Sequence, residues 1–442
     1  MAIRSKQLVA LTLPVALSAM LDNAYRVIDQ HAVQWLGVEA QAAIASCTFI
    51  LIAYYAIYSI ISAGTLSLVA RAVGAGQAAG QKQLMGNALA GSVLLGSMVL
   101  ALSGLYAPVL TSLLGLSDSV ADQASMYLRW HAVYCLPQAI MPTLNAILIA
   151  FGRTRTVLLL QIIATVLNIL LNPVCIYQLG YGIGGSAMAT GLSQAVAAAT
   201  GLVLLRRATP FRWADLSLGR PVLKIAKIGL PMCWGTMMFA LVYGAMLHWV
   251  ISPLGAPVNA ALGIGFSALE GFTWPVFWGF SMGIASIVGR SLGAGNLNEA
   301  KQSIRLAFKL LTLAGLAVSG IFFFGATLLC GLFTQDALVL GEAVRYAQIL
   351  AFSQLFVAYE SLAEGVLGGA GKTHSILYWS APLNLLRIPF SWLFAVYFGY
   401  GAAAVWWVIG ASTLLKAMGK WWSVRSGAWQ DEVYKPSTAF KH

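Results

Sequence analysis

Hydrophobic and polar positions in this chain segregate into long blocks. Uncharged runs cover residues 40–70, 83–117, 130–152, 156–205, 228–269, 271–289, 310–335 and 388–415, and a membrane-crossing helix needs about 20 mostly apolar residues. The run 156–205 is too long for one span and breaks at Gly180, Gly182, Gly184 and Gly185, while 228–269 breaks around Pro253, Gly255 and Pro257. A first span over 8–35, a tenth over 339–368, and a division of the last region near Gly399 and Gly401 bring the expected number to twelve. The pattern predicts an all-α polytopic membrane protein.

Composition agrees. Of 442 residues, 59% are apolar and 9% charged, against roughly 25% charged in soluble domains; the mean hydropathy is +0.80. A soluble surface, a disordered chain and a disulfide-stapled scaffold are excluded. The net charge of +12 acquires meaning only from its placement. With the N-terminus inside, the inner side receives Arg4, Lys6, Arg71, Lys82, Arg153, Arg155, Arg206, Arg207, Arg212, Arg220, Lys224, Lys227, Arg290, Lys301, Arg305, Lys309, Lys372, Lys416, Lys420, Arg425, Lys435 and Lys441, which is 22 of the 26 cations. The outer loops hold Glu39, Asp118, Asp122, Asp336 and Glu342. Loops rich in Lys and Arg stay cytoplasmic, so both termini are expected inside, and the basic excess is topological, with no nucleic-acid partner expected.

Arg4, Lys6, the apolar stretch 8–17 and Ala16-Leu17-Ser18-Ala19 imitate a cleavable signal peptide. An internal repeat argues that the first span is retained. Arg71-Ala72-Val73-Gly74-Ala75-Gly76 returns as Arg290-Ser291-Leu292-Gly293-Ala294-Gly295, and Lys82-Gln83 as Lys301-Gln302. Leu13-Pro14 answers Leu230-Pro231, Gly152-Arg153-Thr154 answers Gly371-Lys372-Thr373, and Asn168 with Pro173 answers Asn384 with Pro389. The chain therefore divides into a six-helix lobe over 1–205, a basic linker over 206–220, a second six-helix lobe over 221–424 and a tail over 425–442. An even helix number per lobe makes the repeats parallel, related by an axis along the membrane normal, as in transporters whose substrate path runs near the midplane.

Charges inside the spans are costly, about 2.5 to 3.5 kcal/mol each on insertion scales, so each needs a partner or a purpose. The first span carries Asp22, Arg26 and Asp29, spaced so that one helical face can hold an acid-base-acid ladder. Asp22 and Arg26 read as a neutralised structural pair. Asp29 is deeper, and Arg26 cannot neutralise two carboxylates; a carboxylate taken out of water is penalised in its charged form and can exchange a proton. Asn168 and Asn172, at i,i+4 beside Pro173, and Thr190 on the sixth span could complete with it a proton relay or a small hard-cation site, or could simply bond across helices. Glu270, flanked by Phe272, Trp274, Trp278 and Phe280, suits an organic cation by charge and cation–π attraction, although aromatics also form the interfacial belt. Glu360 and Glu364, at i,i+4, are candidates for a second proton or substrate site. Arg387 reads as the structural partner of one of these acids.

The Val73-Gly-Ala-Gly and Leu292-Gly-Ala-Gly motifs follow no strand and lack the lysine of a phosphate loop. No HExxH or CxxC pair occurs, so neither an enzyme nor a resident cofactor is expected. Cys47, Cys135, Cys175, Cys233 and Cys330 read as core thiols, neither metal ligands nor disulfides.

Several of these patterns together resemble the multidrug and toxic compound extrusion (MATE) family: Tyr25-Arg-Val-Ile-Asp29 with Leu36-Gly37, the paired glycine motifs, Asn168-Ile-Leu-Leu-Asn172-Pro173 with Gly180 beyond, and Ala261-Leu-Gly-Ile-Gly265 through Glu270. The resemblance covers about 8–424. It implies a twelve-helix antiporter of the bacterial inner membrane that exports cationic or amphipathic organic compounds against protons or sodium ions, with Asp29 as the coupling acid. In a branch of the family called DinF-like, that acid works with a helix 5 Asn, a helix 5 Asp and a helix 6 Thr. Asn168 and Thr190 match, but Asn172 stands where the Asp would be. The sodium-coupled branch also uses a helix 7 Glu and a helix 10 Asp; here no acid lies between Pro231 and Ile251, and Val357 holds the helix 10 position. These departures favour protons over sodium. A monomer in membrane lipid, handling small organic cations, is expected. The alternatives are a lipid-linked precursor flippase, disfavoured because five membrane acids face two bases, and an uncoupled channel.

Overall fold

The computed structural model describes residues 5–112 and 118–432. The first half contains α1 (Ser5–Ala32), α2 (Val38–Gly74), α3 (Ala78–Ser112), α4 (Asp118–Val133), α5 (Cys135–Ala150), α6 (Thr154–Pro173) and α7 (Gly182–Ala208). The second contains α8 (Arg220–Met246), α9 (Ala256–Gly263), α10 (Gly271–Gly293), α11 (Leu297–Phe324), α12 (Ala326–Gly331), α13 (Ala337–Gly369), α14 (Thr373–Leu385), α15 (Arg387–Ser391) and α16 (Ala402–Arg425). Among the described residues nine helices are long and apolar enough to cross a membrane, and α4 with α5, bent by 59°, forms a tenth. The other two long segments are α13, which carries Glu342, Arg345, Glu360 and Glu364, and α14–α15, which is broken at Leu386 and carries Arg387. These complete the twelve spans in two halves.

Among the described residues every one with positive φ is a glycine, and ten of these eleven fall into pairs: Gly37 and Gly255, Gly76 and Gly295, Gly152 and Gly371, Gly180 and Gly399, Gly182 and Gly401. The members of each pair lie 218 or 219 positions apart. Such turns demand a residue without Cβ, so both halves turn at equivalent places. This refines one landmark. With Gly152/Gly371 before it and Gly180/Gly399 after it, Asn168 stands opposite Arg387, not opposite Asn384. The identity of Asn384 is a near coincidence, one helical turn out of register, beside the break at Leu386.

By contact the chain groups into two compact units, one of the residues up to Ala16 together with those from Trp234 onward, the other of Leu17–Cys233. Both boundaries lie inside helices, two residues after Pro14 in α1 and two after Pro231 in α8. The opening segments of these helices are held by close approach to glycines. In the first-named unit, a Cβ on Gly279 or Gly283 of α10 would strike Ala16 or Thr12. In the second, a Cβ on Gly64 of α2 would strike the Ile225 carbonyl, and one on Gly229 of α8 would strike the Ile60 carbonyl. Small residues let helices pack this closely where no hydrophobic effect drives them together.

The Leu17–Cys233 unit has a core built around Val33, Cys47, Tyr54, Tyr58, Tyr127 and Leu128. Its counterpart is built around Val242, Met246, Tyr346, Leu350 and Trp406. Large apolar side chains are exposed outside these cores, Phe324 at 88% and Leu328 at 76%, which is the surface a hydrocarbon solvent requires.

Candidate functional site

Asp29 lies on α1 with 6% exposure. One carboxylate oxygen accepts hydrogen bonds from the Nδ2 atoms of Asn168 and Asn172, both at 3.0 Å. The other accepts from Thr190 Oγ1 at 2.8 Å. The donors also bond one another: Asn168 Nδ2 donates to Thr190 Oγ1 at 3.2 Å, and Asn172 Nδ2 to Asn168 Oδ1 at 3.2 Å. The i,i+4 spacing puts both asparagines on one face of α6, and Pro173 ends the regular helix, passing it into a wider turn over Val174–Gln178. Among the described residues no cation makes an ion pair with Asp29. Among these residues its charge is held by neutral donors, and Asn172 keeps its Oδ1 buried without a partner.

One turn before Asp29, Tyr25 shares a short hydrogen bond with Ser193 Oγ, and its hydroxyl also reaches the Thr190 carbonyl at 3.1 Å. Sequence reasoning missed Tyr25 and Ser193. The signal was available, since Tyr25 and Asp29 are i,i+4 on α1 and Thr190 and Ser193 are i,i+3 on α7. The Asp22–Arg26–Asp29 ladder runs through the side chain of Arg26, which, like residues Arg4, Lys435 and Lys441, lies outside the described residues.

A second charged cluster fills the other unit. Lys420, fully buried on α16, donates to Glu360 at 2.6 Å and to Glu364 at 2.5 Å, and Lys416 pairs with Glu360 at 3.1 Å. The lysines are i,i+4 on α16 and the acids i,i+4 on α13, so the two helices match charge in register. Lys416 and Lys420, read from the sequence as cations of the inner side, are buried within α16 and paired with these acids. Glu360 and Glu364 accordingly face ammonium groups instead of each other.

Arg387, expected to pair with an acid, makes no ion pair among the described residues. It is 2% exposed; its Nε donates to Ser412 Oγ at 2.7 Å, its Nη2 to Thr413 Oγ1 at 3.1 Å, and its guanidinium lies 5.9 Å from the centroid of the Tyr243 ring. Tyr346, Arg387 and Lys416 lie within electrostatic reach of Glu270. Trp274 and Trp278 stack on each other, 6.2 Å between centroids, with Trp274 53% exposed.

Comparison with known proteins places this geometry in a family. The MatE family model matches residues 14–174 and again 231–393, once in each half. The chain is 24% identical over 96% of its length, and 93% of the relative's, to the probable multidrug resistance protein NorM of Thermotoga maritima. The fold is similar to that of the Vibrio cholerae MATE transporter VcmN in its bent form, with TM-score 0.89, 22% identity and 97% of each chain covered. It is equally similar to a MOP superfamily transporter from Pyrococcus furiosus, with TM-score 0.89, 22% identity and 96% of each chain covered. With a match in each of its two halves and relatives that are multidrug transporters along nearly their whole length, the chain belongs to the MatE family.

Proposed function

We propose that this protein is a secondary antiporter of the bacterial inner membrane that exports cationic or amphipathic organic compounds in exchange for protons. The observation that carries the reading is the cage around Asp29: a buried carboxylate held by three neutral donors, with no ion pair to a cation among the described residues. A buried carboxylate without a counter-charge gains by taking a proton. On protonation it becomes a donor itself, and a half-turn of the Asn172 amide presents the unpartnered Oδ1 to the new O–H. The cage thus has two arrangements that differ by one proton, and a two-state element of this kind can bias alternating access. A sodium ion would instead need several oxygens converging on it, whereas the asparagines here aim N–H groups at the carboxylate.

The test is ethidium efflux from proteoliposomes, wild type against Asp29→Asn, driven separately by a pH gradient and a sodium gradient. Efflux on the pH gradient alone, lost in the variant, is the expected result. Sodium dependence would overturn the choice of ion. Absence of ethidium movement under either gradient would overturn the drug-export reading and favour the lipid-linked precursor flippase.

A further inference from the structure

We propose that the segment joining α7 to α8, together with the opening turns of α8, is a docking surface for anionic phospholipid, the headgroups held by its arginines and lysines and the acyl region by the apolar side chains set among them. The inference concerns neither the transported compound nor the coupling ion, and it goes beyond the reading of the chain as an antiporter.

The segment is a fixed strap. It lies against α3: Asn87 Nδ2 donates to Ser217 Oγ at 3.1 Å, the Gly219 N–H donates to Asn87 Oδ1 at 2.7 Å, and a Cβ on Gly86 would strike the Asp215 carbonyl. Phe211 is buried and holds Trp213 edge-on to its ring, 5.7 Å between centroids. These anchors settle what faces away. Leu216 is extended, successive side chains of extended backbone point to opposite sides, and Ser217 is the one turned to α3. Leu216 and Leu218 therefore point outward, and both are exposed, Leu218 at 60%. On α8, Ile225 and Gly229 lie against Gly64 and Ile60 of α2. That contact turns Leu223 and Lys227 to the opposite face, with Lys224 on the flank, and leaves Leu223 71% exposed.

The charge is lopsided. Residues 206–227 hold six cations, Arg206, Arg207, Arg212, Arg220, Lys224 and Lys227, and one acid, Asp215. All six cations are exposed. Asp215 is committed to the strap itself, where its carboxylate accepts from the Arg212 backbone N–H at 2.7 Å. The repeated scaffold does not require this charge: in the register of Pro14 and Pro231, Lys224 and Lys227 stand where α1 has Gln7 and Ala10. Helix stability does not ask for it either, since Arg220 opens α8 without an acid in the first turn, and a cation there works against the helix dipole.

Clusters of about four to eight Lys and Arg directly beside a membrane span attract anionic lipid. Trp settles at headgroup level, and a lysine stem lies along apolar surface while its ammonium reaches the phosphates. A soluble anion would satisfy the cations and leave Leu216, Leu218 and Leu223 in water. A phospholipid satisfies both.

The experiment titrates phosphatidylglycerol, or phosphatidylcholine with the same acyl chains, onto the purified full-length protein in an uncharged detergent and counts bound lipid by native mass spectrometry. Wild type is expected to hold phosphatidylglycerol about tenfold more tightly than phosphatidylcholine. Arg220→Gln, Lys224→Gln and Lys227→Gln together should reduce that preference to about threefold, whereas Lys301→Gln, Arg305→Gln and Lys309→Gln, the same change of charge on α11, should leave it. Trp213→Gln with Leu218→Gln should weaken both lipids alike. Equal affinity of wild type for the two lipids, or equal loss of preference in the two triple variants, overturns the proposal. Binding of glycerophosphoglycerol, the headgroup without acyl chains, as tight as that of phosphatidylglycerol also overturns it, by assigning the surface to soluble anions. The wild-type comparisons need no variant to fold, and ethidium efflux bears on none of these outcomes, so the transport reading and this one fail separately.

Discussion

Lys420 is held between Glu360 and Glu364, at 2.6 and 2.5 Å, with no exposure to solvent. Removing one partner from a buried ionic group leaves uncompensated charge, at a cost of about 3–5 kcal/mol. Lys420→Met is therefore expected to lower the melting temperature in detergent substantially. Adding Glu364→Gln to that variant should recover part of the loss, because Glu360 retains Lys416 at 3.1 Å. Differential scanning fluorimetry checks both, and a double variant no more stable than the single would contradict the pairing.

Within the Asp29 cage, Asn168 makes two links as donor and one as acceptor. Hydrogen bonds to a charged group contribute about 1.5–3 kcal/mol. Asn168→Ala is expected to slow pH-driven ethidium efflux by about tenfold, and more than Ser193→Ala, which touches the cage only through Tyr25 and Thr190. Initial rates in proteoliposomes decide the order; an unchanged rate for Asn168→Ala would show that the cage does not govern coupling.

Gly229 of α8 has no room for a side chain against the Ile60 carbonyl of α2. Overpacking a close helix contact typically costs about 1–3 kcal/mol. Gly229→Val should reduce thermal stability accordingly, whereas valine at Gly244 of the same helix, where a Cβ meets nothing within 4 Å, should not do so by this route. Melting curves of the two variants give the comparison.

All five cysteines are buried and unpaired. A charged maleimide added to the native protein in detergent is expected to label none of them quickly, and all five after denaturation. Mass spectrometry counts the adducts; rapid native labelling of Cys47 or Cys330, both at 0% exposure, would contradict the packing of their surroundings.

The spans were legible in the sequence because membrane helices write themselves as length and apolarity, and the repeat was legible because turn glycines cannot be replaced. Asp29 with Asn168, Asn172 and Thr190 were picked out for the same reason: polar atoms inside apolar runs are few, and these proved to touch. The pairing of Lys416 and Lys420 with Glu360 and Glu364 was hidden by topology, since a lysine near a helix end reads as a loop cation until the facing helix is known. The hydrogen-bond partners of Arg387 were hidden for a related reason. Sequence says that a buried cation needs partners, but not that two hydroxyls and a ring would be those present.

The helix boundaries at Pro14 and Pro231 bear on how the chain is made. The unit formed by Leu17–Cys233 has its last segment only when the first part of α8, directly after the linker, has been synthesised, and the segment up to Ala16 belongs to a unit whose remaining helices are the last to leave the ribosome. The N-terminal end of α1 therefore has to wait until α10 has been made for the glycines it packs against. A gene cut at the linker would yield two fragments each lacking a segment of its compact unit, so neither fragment should mature alone, and the two expressed together should assemble by returning to each other the strap that the cut had separated.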